Sequence, residues 1–345
     1  MSIKSSLPTT LPDAAQAFGT PSPETHKGNL SYLPVALFGS VMGLTGLSSA
    51  WKLAYELYGL PLWGSQVIGA LAIVAFLLMG TGYAIKAATG LKTVRAEFQH
   101  PIAGNLFGTL FISLLLIPIP LSDYNLPLAR GIWSAGTLGM IFFAWLIISR
   151  WLSQRQQTAH ATPAWIVPVV GLIDIPLAVP ALHMQGLDDL LMFSLALGLF
   201  FAIPLFTLIM SRLMFEEPVS AALQPSLMIL LAPFAVGFSA YVTVVGGVDR
   251  FASALYMLTL FMLTVLAGRL RYLAISCPFR LSWWAVSFPL AAATVTALRY
   301  AAYKPNLFTH SVALTLLASV TLILLWMALR TAVATLQGNL KALAG

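Results

Sequence analysis

The chain has 345 residues, 59 % of them hydrophobic and only 8 % charged, with a formal net charge of +7. Soluble domains carry about 25 % charged residues, so this chain cannot clothe itself for water and needs lipid as its solvent. The eighteen Lys and Arg stand singly between apolar runs, with neither a basic stripe nor a nucleic-acid motif, which excludes a nucleic-acid binder.

In chain order, residues 1–30 are polar and broken by Pro8, Pro12, Pro21 and Pro23, and read as a mobile cytoplasmic tail. From there to residue 336 the chain reads as a single transmembrane domain. Crossing ~30 Å of hydrocarbon takes about 20 apolar residues, and unpaired backbone inside lipid forces those runs to be helices. Ten runs qualify: 33–57, 67–85, 105–121, 132–148, 165–182, 191–210, 227–245, 252–267, 281–298 and 307–329. Residues 337–345 are a short cytoplasmic tail. With these spans, thirteen basic residues fall on the side of the two termini and five on the other. That bias places both termini in the cytoplasm, in a plasma membrane or a bacterial inner membrane.

Prolines divide the spans into two classes. The odd ones carry Pro34; Pro118 and Pro120; Pro168, Pro176 and Pro180; Pro233; and Pro289, whereas only Pro204 lies inside an even one. A proline removes a backbone donor and kinks its helix, and such breaks survive in a membrane where they are buried in protein or line a watery cavity. The expected fold is an all-α integral membrane protein. Ten transmembrane helices form five helical hairpins around a central pore, with the kinked odd helices inside.

Four stretches in this order carry a resemblance. They are Leu33-Pro34-Val35-Ala36-Leu37-Phe38-Gly39 with Ala50-Trp51, and Val94-Arg95-Ala96-Glu97-Phe98-Gln99-His100-Pro101. Further on come Leu231-Ala232-Pro233-Phe234 with Ser239-Ala240-Tyr241, and Trp284-Ala285-Val286-Ser287-Phe288-Pro289-Leu290. Together they resemble the tellurite-resistance/dicarboxylate transporter family, which includes the slow-type anion channels of plant guard cells. The resemblance implies a homotrimer, passive conduction of small anions, and Phe288 as the ring that occludes the pore. Two positions depart from the family pattern: Ile203 precedes Pro204 where bacterial relatives often have glutamate, and Ile173-Asp174 stands where they have asparagine-phenylalanine.

The residues themselves leave several roles open. Asp174 is the only formally charged residue in the middle of an expected span, and a carboxyl there marks a site facing the bundle interior or one tied to carbonyls freed by Pro176 and Pro180. Phe38, Phe107 and Phe234 lie on other odd spans and are candidate pore-lining rings, with ordinary packing as the alternative. Arg95 and Glu97 read as a structural clasp or as part of the cytoplasmic mouth, and Lys52 and Glu56 as a pair one helical turn apart. Cys277 excludes an internal disulfide, and the histidines lack metal-ligand spacing. Phosphate-binding loops and catalytic motifs are absent from the sequence, so neither a cofactor nor an enzyme is expected. The leading function is a gated passive channel or exporter for small anions such as chloride or nitrate. The alternative is a proton-coupled carrier of C4-dicarboxylates such as malate, with Asp174 titrating.

Overall fold

The computed structural model describes residues 30–276 and 278–344, the side chains of 270–276 and 344 excepted. Most of the N-terminal tail, with Lys4, His26 and Lys27, and also Cys277, therefore lies outside the described residues. Among these residues every regular element is helical. Nine segments are long and apolar enough to cross a bilayer: Leu62–Thr89, Ala103–Leu121, Leu126–Ser153, Pro163–Leu182, Asp188–Phe215, Gln224–Val245, Arg250–Arg269, Leu281–Tyr303 and Leu307–Leu336. Ahead of them a 3-10 turn, Val35–Leu37, leads into the helix Phe38–Tyr58, which is long enough but carries Gly, Ser and Thr at many positions. We number these ten segments first to tenth. They fall where the apolar runs predict, with longer ends. The second runs on to Thr89, and Lys86, a charge that should stop an apolar run, is accommodated there by bonds to Leu33 O and the Glu97 carboxylate.

The two classes of segment differ in backbone and in burial. The third, fifth, seventh and ninth are 61–94 % buried in the protein, whereas the even segments are 17–39 % buried and present apolar side chains outward. The even segments are unbroken α-helices, including Asp188–Phe215 with Pro204 inside it. Each odd segment instead opens with a 3-10 stretch: Val35–Leu37, Ala103–Phe107, Pro163–Ile166, Gln224–Leu231 and Leu281–Val286. The fifth has a second stretch, Gly171–Ala178, around Pro176. Proline withholds the donor that an α-turn needs, and the tighter i→i+3 pattern takes up the change.

Side chains of neighbouring segments donate to backbone carbonyls of the odd ones. Ser113 donates to Phe38 O at 3.1 Å, Ser287 to Gly39 O at 3.1 Å, and Thr296 to Ala235 O at 2.7 Å. From the outer layer, Trp133 Nε1 donates to Ile175 O at 3.0 Å. Small residues bring the first and ninth segments together: Gly43 lies directly against Ser287, and a Cβ on Gly46 would sit 2.9 Å from that of Ala291.

Leu33 and Leu37 share an apolar cluster with Trp283, Trp284, Leu340 and Leu343. The described chain thus begins and ends at one end of the bundle, called here the terminal end, where the short helix Leu340–Ala344 folds back.

Candidate functional site

Two cavities lie along the interior, and only odd segments wall them. The one toward the terminal end, about 70 Å³, is lined by residues of all five odd segments, among them Gly39, Thr109, Asp174, Val236 and Phe288. The one toward the far end, about 390 Å³, is again lined from the odd segments and the loops that follow them. Val236 and Phe288 line both cavities. Phe288 sits at the first turn of the α-helical part of the ninth segment, where the 3-10 stretch Leu281–Val286 gives way to Ser287–Tyr303, and it is 8 % exposed. A Cβ on Gly46 would be 3.8 Å from the ring, so the first segment is its near wall.

The smaller cavity is mostly apolar; Thr109, Asp174, Ser282 and Trp284 are its side chains with polar atoms, and the Trp284 indole N–H is taken by Thr331 Oγ1 at 3.1 Å. Thr109 is occupied, donating to Leu106 O at 2.7 Å and Val35 O at 3.1 Å. Asp174 lies in the second 3-10 stretch of the fifth segment, 2 % exposed; among the described residues its Oδ1 has no hydrogen-bond partner and no ion pair with its carboxyl is seen.

The three other aromatic candidates do not reach either cavity. Phe38 packs edge-on against Phe76 and Tyr83 of the second segment, Phe107 against Tyr83 and Phe98, and Phe234 against Phe206 of the sixth. Each points outward from its odd segment into the even layer, where ring edges find ring faces.

At the terminal end the expected clasp has a different second member. Glu97 pairs not with Arg95, which is exposed, but with Lys86 at 2.7 Å. Its carboxylate also accepts from Tyr83 Oη at 2.9 Å and from the Val35 backbone N–H at 2.8 Å, while Lys86 donates to Leu33 O at 2.6 Å. The pair is almost wholly buried, so its members are held by several hydrogen bonds each, as a buried charge requires. It ties the second segment and the helix Leu91–Gln99 to the start of the first. Sequence reasoning missed Lys86 because a lysine at the edge of an apolar run reads as an interfacial charge.

Beside this clasp, His100 Nδ1 accepts from the N–H groups of Ile102 and Ala103 at 3.2 and 3.1 Å, capping the start of the third segment. Burial, with His160 and Arg150 nearby, holds the His100 imidazole below the usual histidine range, and burial lowers His160 too. Arg150 in turn donates to Phe98 O and Gln99 O. At the far end Lys52 is bound to Asp123 at 3.2 Å rather than to Glu56. The loop after the third segment brings Asp123 to it, a contact that helical spacing cannot reveal.

The arrangement is an interior path in two compartments that meet at one ring. The family model described as voltage-dependent anion channel matches residues 32–332, nearly all of the described chain. The S-type anion channel SLAH3 of Arabidopsis thaliana is 28 % identical over 300 residues, covering 84 % of this chain and 46 % of the relative. The guard cell S-type anion channel SLAC1 of the same plant is 25 % identical over 297 residues, covering 82 % and 52 %. The tellurite resistance protein TehA homolog of Haemophilus influenzae is 26 % identical over 273 residues, covering 78 % and 81 %. The chain thus spans about half the length of these plant relatives and about four fifths of the bacterial one. A multi-pass helical chain matched by that model from its first segment to its last belongs to the voltage-dependent anion channel family.

Proposed function

We propose that the protein is a gated passive channel or exporter for small anions such as chloride or nitrate, and that the Phe288 ring occludes its pathway. The observation that carries this reading is the shared wall: two cavities lined only by the odd segments have Phe288 and Val236 in common. A narrow apolar constriction stops ions by excluding the water they need, without any charge of its own. Membership in a family whose plant relatives are named as anion channels supports the substrate class. In this reading both termini face the cytoplasm, the clasp of Lys86 and Glu97 braces the cytoplasmic end, and three copies assemble. Native mass spectrometry of purified protein should then give three copies per particle, and a monomer throughout would set that assembly aside.

The decisive experiment is anion flux into liposomes under a chloride or nitrate gradient, comparing wild type with Phe288→Ala at matched protein level. The variant should conduct well above wild type. Equal flux in correctly assembled protein would take the gate away from Phe288. A passive pathway also predicts that Asp174→Asn still conducts and that flux follows the anion gradient alone. Flux that vanishes together with proton movement in that variant would favour the coupled carrier instead.

A further inference from the structure

The far-end cavity carries an arrangement that neither the ring nor the fold accounts for. Arg299, on the ninth segment three turns beyond Phe288, lines it and is half-buried. Its Nη1 donates to Ser239 O at 3.2 Å and Thr243 Oγ1 at 3.3 Å, which fixes the guanidinium against the seventh segment. Among the described residues no carboxylate lies within 4.0 Å of it, and its Nε and Nη2 donate to none of them. Next to the guanidinium, the Ser239 hydroxyl of the same cavity wall is buried and without a hydrogen-bond partner among the described residues.

Such hydroxyls are uncommon inside helices, where Ser and Thr usually donate to the carbonyl one turn back. Ser49, Ser113, Thr243 and Thr294 all do so here. For Ser239 that carbonyl, Ala235 O, is already taken by Thr296. An unpaired buried hydroxyl is costly, so one beside a guanidinium with spare donors calls for an acceptor.

The charges around the cavity favour an anion. Its wall includes Lys52, Arg299, His183, Glu56 and Asp123. Lys52 and Asp123 neutralise each other at 3.2 Å. Glu56 and His183 are exposed, whereas Arg299 lies deeper, where water and salt screen it less.

We propose that Arg299 and Ser239 form a binding station for a single small monovalent anion, a halide or nitrate, on the far side of Phe288. This deepens the channel reading and rests on it for the station's purpose. A dicarboxylate would bring two charges to one cation that already feels Glu56 across the cavity, so the station selects against it. The donors replace part of the anion's hydration before it meets the apolar ring, which lowers the cost of the next step.

The test separates binding from conduction. Purified protein is melted in detergent at constant ionic strength with chloride, nitrate or gluconate as the anion. Chloride and nitrate should stabilise wild type relative to gluconate, and Arg299→Gln should lose that difference. Ser239→Ala breaks no hydrogen bond donated by its side chain and should fold normally, yet it should shrink the difference as well. In liposomes, with Phe288→Ala as background, conductance should saturate with chloride. Arg299→Gln should raise the half-saturating concentration about tenfold, the worth of one charge-assisted hydrogen bond. Ser239→Ala should raise it by a smaller factor, and Arg299→Lys should retain part of the affinity. If Ser239→Ala and Arg299→Gln fold and respond to chloride as wild type does, the station does not exist. If anion-specific stabilisation is present and depends on Arg299 but Phe288→Ala carries no flux, the station stands and the channel reading fails.

Discussion

His100 has a structural duty that depends on its charge. Its Nδ1 can cap the third segment only while it carries no proton. The ring is held below the ordinary histidine pKa of about 6.5 by burial and by the cations near it. An unfolded chain therefore takes up the proton first, and stability present in full above that value is lost as pH falls through the depressed folded one. The melting temperature in detergent should drop as the buffer moves from neutral to mildly acidic. His100→Asn keeps a side-chain acceptor for the same N–H groups and cannot titrate. Its profile should be flatter than wild type, with the remainder due to His160, whose folded value is also lowered. A profile identical to wild type would remove His100 from the explanation.

Gly43 decides how close the first and ninth segments can lie. Any side chain there meets Ser287, the residue before Phe288. Ser287 is itself engaged with Gly39 O and Trp284 O, so it has no free direction in which to yield. Gly43→Ala should cost about 1–3 kcal/mol by overpacking, read as a lower melting temperature. Because the displaced segment carries Phe288, basal anion flux should change with it. Wild-type stability and flux together in Gly43→Ala would mean that the contact relaxes without effect.

At this same level the sequence was informative in one respect and silent in another. Length and apolarity located the segments, and the odd-numbered prolines separated the buried layer from the lipid-facing one, because a broken backbone must be paired inside protein. Which face of a buried segment looks at the pathway could not be read, since the odd segments are apolar all round and periodicity has nothing to contrast. For that reason the residues alone could not tell Phe38, Phe107 and Phe234 from pore-lining rings, and only the resemblance set Phe288 apart; the three rings pack outward. Likewise Lys86 pairs with Glu97 and Lys52 with Asp123, across 11 and 71 residues, distances at which local spacing carries no information.

Taken whole, the molecule divides labour between its layers. Even helices meet lipid and carry most of the exposed large apolar side chains, while both cavities belong to the odd ones. Substitutions on the outer layer should therefore alter assembly and stability before they alter conduction. Asp174 is the exception to an otherwise uncharged wall in the smaller cavity, and its variant reports on coupling. The spare donors of the larger cavity became visible only with two segments in place, since Ser239 and Arg299 come from the seventh and ninth.

Two compartments meeting at a single ring also have an electrical consequence. With Phe288 as the proposed partition, ion-bearing water on either side acts as a conductor and the thin apolar barrier as the resistor. An applied membrane voltage then falls mostly across one phenyl ring rather than evenly along the bilayer. Moving one charge through the full field is worth about 2.3 kcal/mol per 100 mV. Passage over the ring thus takes nearly all of that work, while an anion waiting beside Arg299 takes almost none. Occupancy of the station should follow concentration and ignore voltage, and the current should bend with voltage even though the gate itself carries no charge.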